Sequence, residues 1–138
     1  MNNVAAKVIV DFRSDEPIYL QIARQIEKLV AEEELKIGDQ LPTVREMAAE
    51  LSINFNTVAR AYRLLDETRI ISTQRGRGTF IWEKPTEAAR KIFRNEALSD
   101  LVSQMIATAE SRGYSIEELV NRFQQFMNSP HDEELSQE

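Results

Sequence analysis

Apolar residues recur along the chain at two periods, and the changes of period divide it into elements. Val8 to Phe12 alternates weakly and is rich in β-formers, which predicts a short strand or an extended arm. Pro17 opens a helix where its missing N–H costs nothing. Tyr19, Ile22, Ile26, Leu29 and Val30 then follow at helical spacing, a stripe that faces a core. This helix is expected to end near Glu34. Gly38-Asp39 marks a turn, and Leu41-Pro42 extends the chain toward the next element. Thr43 and Glu46 form a capping box ahead of a short second helix with Met47, Ala48 and Leu51 inward. Ser52-Ile53 breaks it. Asn54 is an N-cap for a third helix that buries Val58, Ala61, Tyr62 and Leu65. Ile70–Thr73 and Thr79–Trp82 are β-rich and flank Arg75-Gly76-Arg77-Gly78, so a hairpin is expected.

Beyond Lys84-Pro85 the pattern is helical only. Thr86 to Ser111 carries Ile92, Phe93, Leu98, Leu101, Val102, Met105 and Ile106, and Gly113 stops it. Ser115 and Glu118 form a second capping box. Ile116, Leu119, Val120, Phe123, Phe126 and Met127 then make an i, i+3, i+4 stripe that Pro130 ends. The expected organisation is a helical and hairpin domain over 1–84, a two-helix segment over 85–128, and a disordered acidic tail over 129–138.

Composition narrows the function classes. The chain has 138 residues, 42% hydrophobic and 29% charged, and no cysteine. Disulfide frameworks, thiolate metal sites and thiol catalysis are excluded. No apolar run reaches the ~18–20 residues of a membrane span. The start, Met-Asn-Asn-Val, lacks the layout of a signal peptide, so a cytoplasmic location is expected. His131, the one histidine, stands in the tail, which leaves no multi-His metal site or His base. No serine lies in a nucleophile elbow, and Asp132-Glu133-Glu134 reads as a solvated run. Neither an enzyme nor a cofactor or metal is expected.

The net charge is −6, unevenly spread. Residues 1–85 hold 12 Lys+Arg against 13 Asp+Glu, and residues 86–138 hold 5 against 10, which gives −1 and −5. Within the first part, Asn54–Trp82 carries Arg60, Arg63, Arg69, Arg75 and Arg77 against Asp66 and Glu67, a local +3. Such an excess suits either a small DNA-facing surface or a solvated helix face.

Two short capped helices joined by a tight turn make a helix-turn-helix. The third helix points Phe55, Asn56, Ala59, Arg60 and Arg63 outward, where Asn suits adenine and Arg suits guanine or phosphate. The same pattern also fits a plain three-helix core with a polar surface. The Arg-Gly-Arg-Gly tip favours DNA, because forked cations on both sides of Gly76 exceed what turn chemistry needs.

Pro17 to Trp82 resembles the winged helix-turn-helix domain of GntR-superfamily bacterial transcriptional regulators. The matching runs are Pro17-Ile18-Tyr19-Leu20-Gln21-Ile22, Gly38 to Ala48 (GDQLPTVREMA), Asn56-Thr57-Val58-Ala59-Arg60-Ala61-Tyr62 and Arg75 to Ile81 (RGRGTFI). The Asn-Thr-Val run and the short C-terminal part resemble the YtrA-like branch, whose two C-terminal helices mediate dimerisation. The resemblance implies that Arg45 holds a phosphate, that Asn54, Phe55, Asn56, Thr57 and Arg60 lie at or near the operator, and that Arg75, Gly76 and Arg77 form the wing contact. The chain departs from the family at five places. Glu33 and Ser52 replace glycines, Ile37 replaces a proline, and Thr68-Arg69 stands for Glu-Gly, so that Arg69 either adopts a left-handed backbone or the helix ends differently. Phe55 stands where the branch often has proline and is free to meet a thymine methyl or turn into a dimer.

The fold expected is mainly α with a small β-hairpin: a winged helix-turn-helix domain plus a C-terminal two-helix dimerisation segment. Phe93, Leu101, Met105, Phe123, Phe126 and Met127 are the expected dimer contacts, since a two-helix appendage exposes too many large apolar groups alone; the alternative is that they pack on the winged domain of the same chain. The function expected is a homodimeric, sequence-specific repressor on a palindromic DNA operator; the alternative is a winged adaptor that binds proteins instead. Nothing in the sequence marks a pocket for a small-molecule effector.

Overall fold

The helix stops show most directly how this sequence shapes its backbone. A computed structural model of the protein describes residues 3–129. In chain order it has α1 (Val4–Lys7), α2 (Ile18–Ala31), β1 (Gln40–Leu41), α3 (Val44–Leu51), α4 (Phe55–Glu67), β2 (Ile71–Gln74), β3 (Gly78–Ile81), α5 (Glu87–Ser111) and α6 (Ile116–Asn128). Four helices close with the same pair of reversed hydrogen bonds, in which successive N–H groups reach back to carbonyls three and five residues earlier. After α2, Glu33 N–H donates to Val30 and Glu34 N–H to Leu29; after α3, Ser52 donates to Ala49 and Ile53 to Ala48. After α4, Arg69 donates to Asp66 and Ile70 to Leu65; after α5, Gly113 donates to Glu110 and Tyr114 to Ala109. This closure needs one left-handed residue. Only Gly113 supplies it as glycine. Glu33, Ser52 and Arg69 adopt φ of 63°, 54° and 65°. These three positions therefore keep glycine's conformation without glycine, as the resemblance implied for Arg69, and α2 stops at Ala31 rather than near Glu34.

The starts follow the side chains. Pro17 precedes α2, Thr43 and Glu46 complete their capping box, and Asn54 Oδ1 accepts from the Asn56 N–H at 2.7 Å. Thr86 Oγ1 accepts from Ala89 N–H, and Ser115 with Glu118 caps α6.

The extended stretch after α1 is not a strand. Its partners are two glutamine side chains of α2. Ile9 N–H donates to Gln25 Oε1 and Gln25 Nε2 returns to the Ile9 carbonyl; Gln21 makes the same pair of bonds with Asp11. The hairpin lies one residue earlier in the chain at its second strand and one later at its first than the pattern predicts. It gains a third strand, β1, for an order β1-β3-β2, all antiparallel. Gln40 faces Phe80, and Ile71, Ser72, Thr73 and Gln74 face Ile81, Phe80, Thr79 and Gly78.

The chain divides into two compact units, Met1–Ala97 and Leu98–Glu138. In the first, Leu20, Ile22 and Ile26 of α2 are completely buried with Met47, Val58, Leu65 and Ile81. Each such side chain contributes about 1.5–3 kcal/mol relative to leaving it exposed. This unit continues past Lys84-Pro85 because Ala89 and Phe93, on the first turns of α5, join the same core. The expectation that Phe93 meets a second copy is thereby corrected: it is 3% exposed and packed within its own chain.

The second unit consists of the rest of α5 and α6. Of its large apolar residues, Leu98, Leu101, Val102, Met105, Ile116, Val120, Phe123, Phe126 and Met127 are all exposed. The expected tail lies outside the described residues except for Ser129, which follows α6, and so does His131.

Candidate nucleic-acid interface

The site is assembled on α3, α4 and the hairpin of the first unit. α4 is held from inside by Val58, Ala61, Leu64 and Leu65, all buried, and by Tyr62, whose hydroxyl donates to the Pro42 carbonyl at 2.6 Å. That bond ties the middle of α4 to the residue just before the cap of α3. Burial, with Glu46 nearby, pushes the Tyr62 hydroxyl well above the ordinary tyrosine range, so it remains a donor. At the start of α3 the Thr43 N–H and hydroxyl hold the Glu46 carboxyl below the usual carboxylate range. The turn between the helices is short: Ser52, Ile53 and Asn54 separate Leu51 from Phe55.

With its inner face fixed, α4 presents Asn54, Phe55, Asn56 and Arg60 as exposed residues and Thr57 as a half-buried one. Asn54 spends Oδ1 on its cap and has its amide nitrogen left to offer. Asn56 makes no cap of its own. Phe55 is 49% exposed, and the Arg45 guanidinium from α3 lies over its ring, 5.9 Å from the centre. The two helices are thus bridged at their outer surface by a cation and an aromatic face.

The wing tip is Arg75-Gly76-Arg77, all exposed, with Arg77 N–H donating to the Gln74 carbonyl. Gln40 of β1 donates to the Arg77 carbonyl at 3.2 Å and so steadies the tip from the third strand. Gly78, at φ 123°, lies where a Cβ would collide with that Gln40 side chain. Among the described residues Arg45, Arg75 and Arg77 pair with no carboxylate, whereas Arg24, Arg60, Arg69 and Arg90 each do. Among the described residues Arg45, Arg63, Arg75 and Arg77 thus carry unpaired charges on α3, α4 and the wing, as Arg13, Arg94, Arg112 and Arg122 do elsewhere in the chain.

Arg60 stands apart from that set. Its guanidinium stacks 3.8 Å above the Tyr19 ring and pairs with Glu96 at 3.8 Å, and the Tyr19 hydroxyl donates to the same carboxylate. Sequence reasoning placed Arg60 on the outward face and missed both partners. Only the aromatic on α2 hinted at one of them. Gln40 was also missed, since a two-residue strand leaves almost no periodicity to read.

The family model described as "Bacterial regulatory proteins, gntR family" matches residues 18–81. The uncharacterized HTH-type transcriptional regulator YhcF of Bacillus subtilis is 46% identical over 97 residues, covering 68% of this chain and 79% of that protein. The HTH-type transcriptional repressor YtrA of the same organism is 40% identical over 112 residues, covering 80% and 84%. The structure of YtrA from Sulfolobus acidocaldarius, a GntR-family transcription factor, superposes with a TM-score of 0.56 at 36% identity, covering 67% of this chain and 98% of that one.

Proposed function

The chain belongs to the gntR family of bacterial regulatory proteins, and we propose that it represses transcription by occupying a palindromic operator as a homodimer. It is a DNA-binding transcriptional regulator of the YtrA-like branch. Its relatives are transcriptional regulators, and we read this chain as acting by binding rather than by catalysis. Among the described residues no helix is long and apolar enough to cross a membrane.

The observation that carries the reading is Arg45, which pairs with no carboxylate among the described residues and lies over Phe55 at the polar N-terminal end of α4. In this reading α4 enters the major groove with Asn54, Phe55, Asn56 and Thr57 toward base edges and flanking phosphates. Arg45 takes a phosphate at the start of α3. Arg75, Gly76 and Arg77 follow the adjacent backbone or minor groove. Arg60 ties α4 to α2 and α5 through Tyr19 and Glu96.

The dimer rests on the second unit. Leu101, Met105, Phe123, Phe126 and Met127 are exposed on two helices with almost nothing buried between them, a surface that a second copy would cover. A two-fold dimer offers its recognition helices about 34 Å apart, one duplex turn.

The test is operator selection from a random duplex library, followed by anisotropy titration of the selected site over a series of salt concentrations. The expected result is an inverted repeat, two chains per duplex, and affinity that falls linearly with salt on logarithmic axes. No sequence preference and no salt slope would favour the adaptor reading.

A further inference from the structure

Phe55 is an apolar group placed where the site otherwise offers amides, hydroxyls and guanidinium groups. It is the first residue of α4, the end that reaches base edges, and it lies outside the buried core. Half of its surface is open to solvent. One ring face carries the Arg45 guanidinium, which holds the ring on the outer surface rather than folded into the turn. Asn54 and Asn56 on either side provide the hydrogen-bonding chemistry.

A phenyl ring neither donates nor accepts a conventional hydrogen bond, so it cannot read the polar code of the major groove. That groove displays one apolar feature, the C5 methyl of thymine. We propose that Phe55 is a specificity-determining residue that packs on a thymine methyl in each operator half-site, with Arg45 held against the ring and directed at the neighbouring phosphate. This rests on the reading of α4 as the helix that enters the groove. The pair then works as one device. The cation ties the aromatic to the backbone phosphate, and the aromatic converts that position into sequence preference. Arg45 is suited to the part because no carboxylate among the described residues pairs with it. A branch member with proline at this position lacks the ring, so the thymine preference would be particular to chains that carry an aromatic here.

The experiment replaces thymines of the selected operator one at a time by deoxyuridine, which removes the methyl and leaves the hydrogen-bonding edge intact. Affinity is measured by anisotropy for the unaltered protein, Phe55→Ala and Phe55→Leu. One thymine per half-site should lose about fourfold in affinity for the unaltered protein, the value of one buried methyl. Phe55→Ala should bind the thymine site more weakly and be indifferent to the exchange. Phe55→Leu, still apolar, should retain part of the discrimination, and circular dichroism checks that both variants fold. If no thymine is methyl-sensitive, or if Phe55→Ala shows the same sensitivity, the assignment of Phe55 fails while α4 remains the reading helix. Absence of salt-dependent DNA binding in the unaltered protein would overturn both.

Discussion

The Arg60 guanidinium lies over the Tyr19 ring, 3.8 Å from its centre, and both residues converge on Glu96. Three elements, α2, α4 and the start of α5, are joined by this cluster within the first unit. A stacked cation at an accessible site is worth about 0.5–1 kcal/mol. Arg60→Ala should therefore lower the melting temperature by several degrees, about 4–8 °C per kcal/mol for a unit of this size. Arg60→Lys should restore only part, because an ammonium has no flat face to stack. Operator affinity measured well below the transition should be unchanged. A large affinity loss without a thermal shift would make Arg60 a DNA contact instead.

The three non-glycine helix stops are sites of stored strain. A left-handed non-glycine residue costs roughly 1–2 kcal/mol, and glycine returns part of that relief as extra freedom in the unfolded chain, about 0.5–1 kcal/mol. Ser52→Gly should stabilise the protein by up to about 1 kcal/mol. Glu33→Gly and Arg69→Gly should gain less. Each also gives up a surface ion pair, with Lys84 at 2.9 Å and Glu83 at 3.1 Å. Denaturant titration of the three variants checks the ranking.

In the wing, replacing Arg75 or Arg77 with Ala should cost roughly 1–3 kcal/mol if the contact is to a base and should reduce the salt slope by about one if it is to a phosphate. Gly78→Ala should weaken binding while both arginines remain. The added Cβ displaces Gln40 from the Arg77 carbonyl and must adopt a φ of 123°. Titrations of the three variants on the selected operator separate charge from positioning.

Leu101→Glu or Phe123→Glu should yield monomers in sedimentation equilibrium and weaken operator binding, with the fold of the first unit retained. A buried carboxylate without a partner is excluded from an apolar interface. Dimers that persist in both variants would move the interface elsewhere.

Acid should loosen the start of α3. The Glu46 carboxyl titrates below its ordinary value because it bonds the Thr43 N–H and hydroxyl. Its contribution is therefore fully present above the unfolded-state value near 4.5 and is lost as pH falls through the lower folded one. Glu27 acts in the opposite sense. Burial raises its pKa, against the pull of Arg90 and Arg24, so its penalty is relieved as the pH falls. Glu46→Gln should flatten the acid limb of stability measured between pH 6 and pH 3, about the range in which carboxylates titrate.

Local chemistry was the legible part of this fold. Thr43 with Glu46, Ser115 with Glu118, and Asn54 each announce a helix start because a short side chain must satisfy N–H groups that have no other partner. The hairpin was visible from its glycines and β-formers. What escaped were contacts set by the tertiary arrangement. Phe93 sits on a helix whose apolar positions serve two units, so its stripe could not show which one it enters. Arg60 is outward by helical phase, yet its length allows it to return to Tyr19 and Glu96. For the interface, Phe55, Asn56 and the Arg75-Gly76-Arg77 tip are legible from helical phase and turn chemistry, whereas Arg45, Asn54 and Thr57 enter as contacts only through the family resemblance. The placement of Arg45 over Phe55 was not legible, since nothing in the spacing of residues 45 and 55 fixes the angle between two helices.

The glutamines that hold the N-terminal arm amount to a ruler. Positions four apart on a helix rise about 6 Å, and positions two apart on an extended chain about 6.6–6.8 Å. Gln21 and Gln25 therefore meet Asp11 and Ile9 almost in step. Slippage by a single residue would put both amides opposite the wrong backbone groups at once. The arm is consequently docked at a defined phase without adding a strand to the sheet, and these two stations on it are closed to any intruding chain seeking backbone partners.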